Sequence, residues 1–95
     1  MTYEQLIAHL AQGDIVPRIV CKDGFSMSVQ ASESHYCTPR ADADFYTHVE
    51  VGFPSDDEES LRPFSEWLND DEESGVYPFV PIQVVLYVIN KHGGV

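Results

Sequence analysis

Positive charge is what this chain has least of. Five Lys and Arg stand against sixteen Asp and Glu in 95 residues, a formal net charge of −11. Such an excess of anions repels phosphate backbones, so direct nucleic-acid binding is not expected. Cysteine is scarce as well: Cys21 and Cys37 could form one disulfide, but in a reducing cytosol two buried thiols are the better expectation. Apolar runs are broken by Pro or polar residues well short of the roughly 18 positions that cross a bilayer. The opening MTYEQLIAHL carries no basic region or cleavage site. These absences predict a soluble, cytoplasmic protein without a membrane partner. The length excludes a two-domain enzyme and fits a single domain, 1–95.

Motifs for chemistry are equally sparse. There is no Gly-x-Ser-x-Gly elbow, and Cys21 falls on the inward face of a predicted hairpin, so no catalytic residue is assigned and the chain is not read as an enzyme. Cys21, His35, Cys37 and His48 are ligand types that suit tetrahedral zinc, but no Cys-x-x-Cys knuckle is present. Anchoring of a loop by Tyr36 and Cys37 is the alternative to a metal role. Asp42-x-Asp44 lacks the Gly and the terminal Glu that a calcium loop requires. No metal or other cofactor is therefore assigned.

What the chain does have is clear periodicity. Thr2-Tyr3-Glu4-Gln5 matches a capping box ahead of Leu6, Ile7 and Leu10, which predicts a short N-terminal helix stopped by a left-handed Gly13. From Ile15 to Ala31 the period becomes two. A three-residue Lys22-Asp23-Gly24 loop with a left-handed Gly24 pairs Cys21 with Phe25, Ile19 with Met27, Pro17 with Val29 and Ile15 with Ala31. That register sends Val16, Arg18, Val20, Ser26, Ser28 and Gln30 to the opposite face. Residues 32–45 read as a loop, and Tyr46–Phe53 as a third strand closed by Pro54. Leu61, Phe64, Trp67 and Leu68 suit a short helical turn with Pro63 near its start. A final helix has Pro81 at its first position, Ile82, Val85, Leu86 and Ile89 on one face, and Gly93 as its stop. The expected fold is α+β: an N-terminal helix, a three-stranded antiparallel sheet, a short helical turn, and a C-terminal helix packed on one sheet face.

The charge is not spread evenly. Nine acids and one base, Arg62, lie between Asp56 and Glu73, so −8 of the total −11 falls in eighteen residues, with Asp-Asp-Glu-Glu-Ser occurring at both 56–60 and 70–74. One reading is a solvated loop that keeps a small protein soluble. The other is a rigid array of anions that occupies a Lys/Arg channel built for phosphates, since duplex DNA presents one charge per about 1.7 Å of axis. In that reading Asp56, Asp57, Glu58, Glu59, Glu66, Asp70, Asp71, Glu72 and Glu73 are the partner contacts, and Phe64 and Trp67 anchor the platform.

The segments Cys21–Ser32, His35–Arg40, Tyr46–Pro54 and Lys91–Gly94 resemble a family of small phage and prophage proteins, most of them uncharacterised. A short, acidic chain of this type is similar in kind to anti-CRISPR proteins. That likeness implies a phage-encoded inhibitor, monomeric and acting in the host bacterial cytoplasm, which blocks target DNA binding by a type I CRISPR effector complex. The implied partner is a basic effector subunit. A zinc-binding or thiol-dependent protein, and a phage adaptor binding a host protein through its sheet, remain as other readings.

Overall fold

The computed structural model describes residues 1–65 and 75–95. Its elements run α1 (Tyr3–Leu10), β1 (Ile19–Val20), β2 (Ser26–Gln30), β3 (His48–Gly52), α2 (Arg62–Ser65), β4 (Val76–Pro81) and α3 (Ile82–Lys91). The chain is thus α+β with an N-terminal helix, an antiparallel sheet and a C-terminal helix. Among the described residues the sheet has four strands in the order β1-β2-β3-β4, one more than the sequence pattern predicts.

The capping box forms as expected: the Thr2 hydroxyl accepts from the Gln5 N–H, and the Gln5 side chain accepts from the Thr2 N–H. Gly13 does not stop α1. The helix ends at Ala11 in a right-handed conformation, and the Gln12 side chain closes the end by donating to the His9 carbonyl at 3.0 Å. At the other terminus Gly93 does act as the stop. Its N–H donates to Asn90 O, and the Gly94 N–H donates to Ile89 O, the paired bonds of a Schellman motif. Pro81 caps α3 from one position earlier than expected and also ends β4, so that strand and helix join without a loop.

The hairpin register is the predicted one. Ile19 faces Met27, Val20 faces Ser26, and the Cys21 N–H donates to Phe25 O at 2.7 Å around a left-handed Gly24. The predicted strand does not extend back to Ile15, however. Val16 turns inward and Ile15 is left 81% exposed. The cause is Gln30, whose buried side-chain amide accepts from the Val16 N–H at 2.8 Å and donates to the Val16 carbonyl at 2.9 Å. A side chain here replaces the backbone ladder, and alternation lapses with it. At the end of β3 Phe53 likewise leaves the inner face, with φ of 50° and its side chain exposed.

The fourth strand contains Pro78 and Pro81, which read against a strand in sequence. It is tolerated because it lies at the sheet edge and carries a bulge. Val49 pairs with Val80 and Val51 with Tyr77, so β4 has one residue more than β3 across that interval. Phe79, with φ of 53°, turns its N–H away to the Tyr36 carbonyl at 3.1 Å.

Inward side chains from the sheet (Ile19, Met27, Val29, Val49, Val51, Val80) join Leu6 and Leu10 of α1, Leu61, and Ile82, Val85, Val88 and Ile89 of α3 in one core. Phe64 is half-buried against it. Among the described residues no helix is long and apolar enough to cross a membrane, and no buried polar side-chain atom lacks a hydrogen-bond partner. Leu61 is fully buried and ties the acidic 56–60 stretch to the core. Leu61→Ala is expected to lower unfolding free energy by about 2–5 kcal/mol, read from the urea midpoint of the purified variant.

Candidate functional site

The first acidic cluster lies in a loop pinned at both ends. Ser55 donates its N–H to Ser26 O and accepts from the Ser26 N–H through its hydroxyl, while the Leu61 N–H donates back to Glu58 O. Between these points the four acids take different directions. Asp56, Asp57 and Glu59 are exposed. Glu58, predicted as a partner contact, is instead turned into the protein with only 4% of its surface accessible. An acid in a run of acids reads as solvated, and only the tertiary placement of α3 reveals this inversion.

A buried carboxylate needs charged or polar partners, and Glu58 has three sets of them. It accepts from the Ser60 N–H at 3.0 Å, from Lys91 Nζ at 3.1 Å and from His92 Nε2 at 2.8 Å. The other His92 nitrogen, Nδ1, lies 2.6 Å from Asp23 Oδ2, and the ring stacks on Phe25 with centroids 4.1 Å apart. Thus a single imidazole joins the β1–β2 turn, the acidic loop and the end of α3. Burial alone would push Glu58 up, but the Ser60 N–H, His92 and Lys91 outweigh it and bring the carboxyl from 4.5 down to about 2. His92 is pushed up by Glu58 first and then by Asp23. Asp23 is pushed down by the Phe25 N–H and then by His92.

Asp57 is exposed and paired with the Arg62 guanidinium, which holds its carboxyl below the ordinary range. Similar engagement extends to most of the chain's cations. Lys91 is bound to Glu58, Arg18 donates to Phe53 O at 2.6 Å and to the Ser26 hydroxyl, and Arg40 lies over the Tyr36 ring at 5.2 Å. Four of the five Lys and Arg are therefore turned toward the protein's own groups, and Asp56 and Glu59 have no ion pair among the described residues. The remaining predicted contacts Glu66, Asp70, Asp71, Glu72 and Glu73, and the anchor Trp67, lie outside the described residues.

Three acids outside the 56–73 stretch also come together in the fold. Asp14, Asp42 and Asp44 line a cleft of about 370 Å³ over Leu10 and Tyr46. A linear scan does not find it, because Asp14 and the other two come from different segments. Cys21, His35, Cys37 and His48 do not form a metal-binding group of three among the described residues. Both cysteines are buried and unpaired with each other. Cys37 Sγ donates to Ser32 O at 3.1 Å, and His35 Nδ1 lies 2.7 Å from the Ser32 hydroxyl. Burial raises both thiols, which keeps the reactive thiolate scarce near neutral pH.

In comparisons with known protein families, curated proteins and solved structures, the chain matches none.

The Glu58 and His92 contributions have opposite pH signs. Glu58 is depressed, so its stabilisation is present above its ordinary 4.5 and is lost as pH falls toward about 2. His92 is raised, so its stabilisation is complete below its ordinary 6.5 and is lost as pH rises through its higher folded value. Between 4.5 and 6.5 both act. Glu58→Gln is expected to remove the acid limb contributed by this residue and to cost about 1–3 kcal/mol near pH 6, measured by urea unfolding across a pH series.

Proposed function

We propose that this chain is a non-enzymatic acidic inhibitor of phage type, similar in kind to anti-CRISPR proteins. It binds a basic nucleic-acid channel of a type I CRISPR effector complex and prevents target DNA from entering. The observation that carries the reading is the anionic surface of a chain with net charge −11, in which Asp56 and Glu59 stand exposed, with no ion pair among the described residues, on a loop pinned to the hairpin and the core. A Lys/Arg channel attracts such a surface through the same long-range field that captures DNA. Asp56 and Glu59 are its contacts in the first cluster, with Asp57 partly neutralised by Arg62 and Glu58 serving as internal support. Glu66 and Asp70, Asp71, Glu72 and Glu73 supply the second set of contacts in this reading. Direct nucleic-acid binding, membrane binding and self-association have no part in it.

A second reading, an adaptor that binds a host protein through its sheet, draws on two large apolar residues. Val20 and Phe53 are each 60% exposed, beside the Arg18 that bridges Ser26 and the Phe53 carbonyl. Charge reversal separates the two. Combined Asp70→Lys, Asp71→Lys, Glu72→Lys and Glu73→Lys substitution is expected to slow association with the effector complex by about tenfold or more at low salt. Surface-based kinetics at two ionic strengths, with a DNA-capture assay on the bound effector, measures this. Unchanged inhibition by the folded variant would transfer the contact to the sheet face.

A further inference from the structure

Both ring nitrogens of His92 face carboxylates, at 2.6 Å and 2.8 Å. A neutral imidazole has one N–H and one lone pair, so it can satisfy only one of these oxygens. The imidazolium satisfies both. Loss of the proton therefore forces a choice between the two arms, and burial decides it. The Glu58 side chain is 2% exposed, whereas that of Asp23 is 49% exposed. An anion facing a lone pair inside the protein is far more costly than one that can turn to water.

We propose that His92 is a charge switch: on deprotonation it keeps Glu58 through an Nε2–H and gives up Asp23, whose carboxylate then adds to the anionic surface beside Asp56. The turn itself stays in place. The Lys22 N–H donates to Gly94 O at 2.8 Å and the Asp23 N–H to His92 O at 3.3 Å, so only the Asp23 side chain is released. Asp23, Phe25, Ser55, Asp56 and His92 line one open cleft of about 390 Å³, which gives the freed carboxylate access to solvent.

The charged groups around the ring support a proton equilibrium that the surroundings can bias. The β1–β2 turn brings Asp23 with Lys22 beside Gly93, the acidic loop brings Glu58 and Asp56, and α3 brings Lys91 on Glu58. The carbonyl end of α3 also favours the cation at His92. Of these groups, Asp23, Asp56 and Glu58 are negative and Lys22 and Lys91 are positive, and loss of the imidazolium proton makes the local surface more negative by one charge. The consequence for a partner rests on the proposed function. A basic partner disfavours the imidazolium, so binding strengthens as pH rises through the His92 midpoint, and complex formation releases a proton.

Long-range ¹H–¹⁵N NMR of the full chain, titrated from pH 5 to 9, tests the switch without any partner. The expected neutral form of His92 is the Nε2–H tautomer. The Phe25 amide, which donates to Asp23 Oδ1 at 2.9 Å, should shift with the same midpoint. Asp23→Asn, at an exposed position, should lower that midpoint by about 0.5 pH unit or more. An Nδ1–H tautomer, an unmoved Phe25 amide, or an unchanged midpoint in Asp23→Asn overturns the proposal. With these NMR results in hand, affinity for the effector complex that stays flat from pH 6 to 8 overturns the acidic-contact reading and leaves the switch standing. A rise in affinity that His92→Gln abolishes supports both.

Discussion

A carboxylate withdrawn from water must be given its hydrogen bonds by the protein, and the inward turn of Glu58 imposes that demand on three separate parts of this chain. Ser60 answers it from the same loop, Lys91 and His92 from the end of α3, and Asp23 joins through the far side of the His92 ring. These partners are as far as 69 positions from one another in sequence. Their agreement fixes the acidic loop to the hairpin turn and to the C-terminal helix at once. Removing one partner from such a group leaves the others with unmet charge, so the cluster is cooperative in a way that isolated surface pairs are not.

The same arrangement shapes the surface. In a chain with five Lys and Arg against sixteen acids, the choice of which acid each cation pairs with decides where negative charge is left unopposed. Arg18 and Arg40 are held by a carbonyl and a ring, so their internal contacts involve no carboxylate. Lys91 and Arg62 each neutralise one acid of the first cluster. The outcome is an unequal loop: Asp56 and Glu59 project charge, Asp57 projects little, and Glu58 none. Spacing along the chain is therefore a poor guide to spacing of charge in space.

Local signals in the sequence were informative where a single physical rule governed the outcome. The capping box, the three-residue turn with its left-handed Gly24, the Ile19–Met27 register and the Gly93 stop each depend on residues within a few positions of one another. The departures arise where distant groups intervene. Gln30 substitutes its side chain for a backbone partner of Val16, which no alternation pattern encodes. Pro78 argues against a strand, yet an edge position and a bulge accommodate it. Among the candidate contacts, Asp56, Asp57 and Glu59 lie at the surface as their polarity suggests. Glu58 does not, because Lys91 and His92 come to it from the opposite end of the chain.

The bulged β4 has a consequence for how these molecules meet one another. A sheet edge is a ready template for another strand, and edge-to-edge addition is the first step toward ordered aggregates. Here one margin is a strand of only two residues, Ile19–Val20. The opposite margin carries two prolines without N–H groups and a residue whose N–H is already given to Tyr36. Among the described residues neither margin offers a long continuous row of donors, an arrangement that disfavours edge-to-edge addition of a second copy.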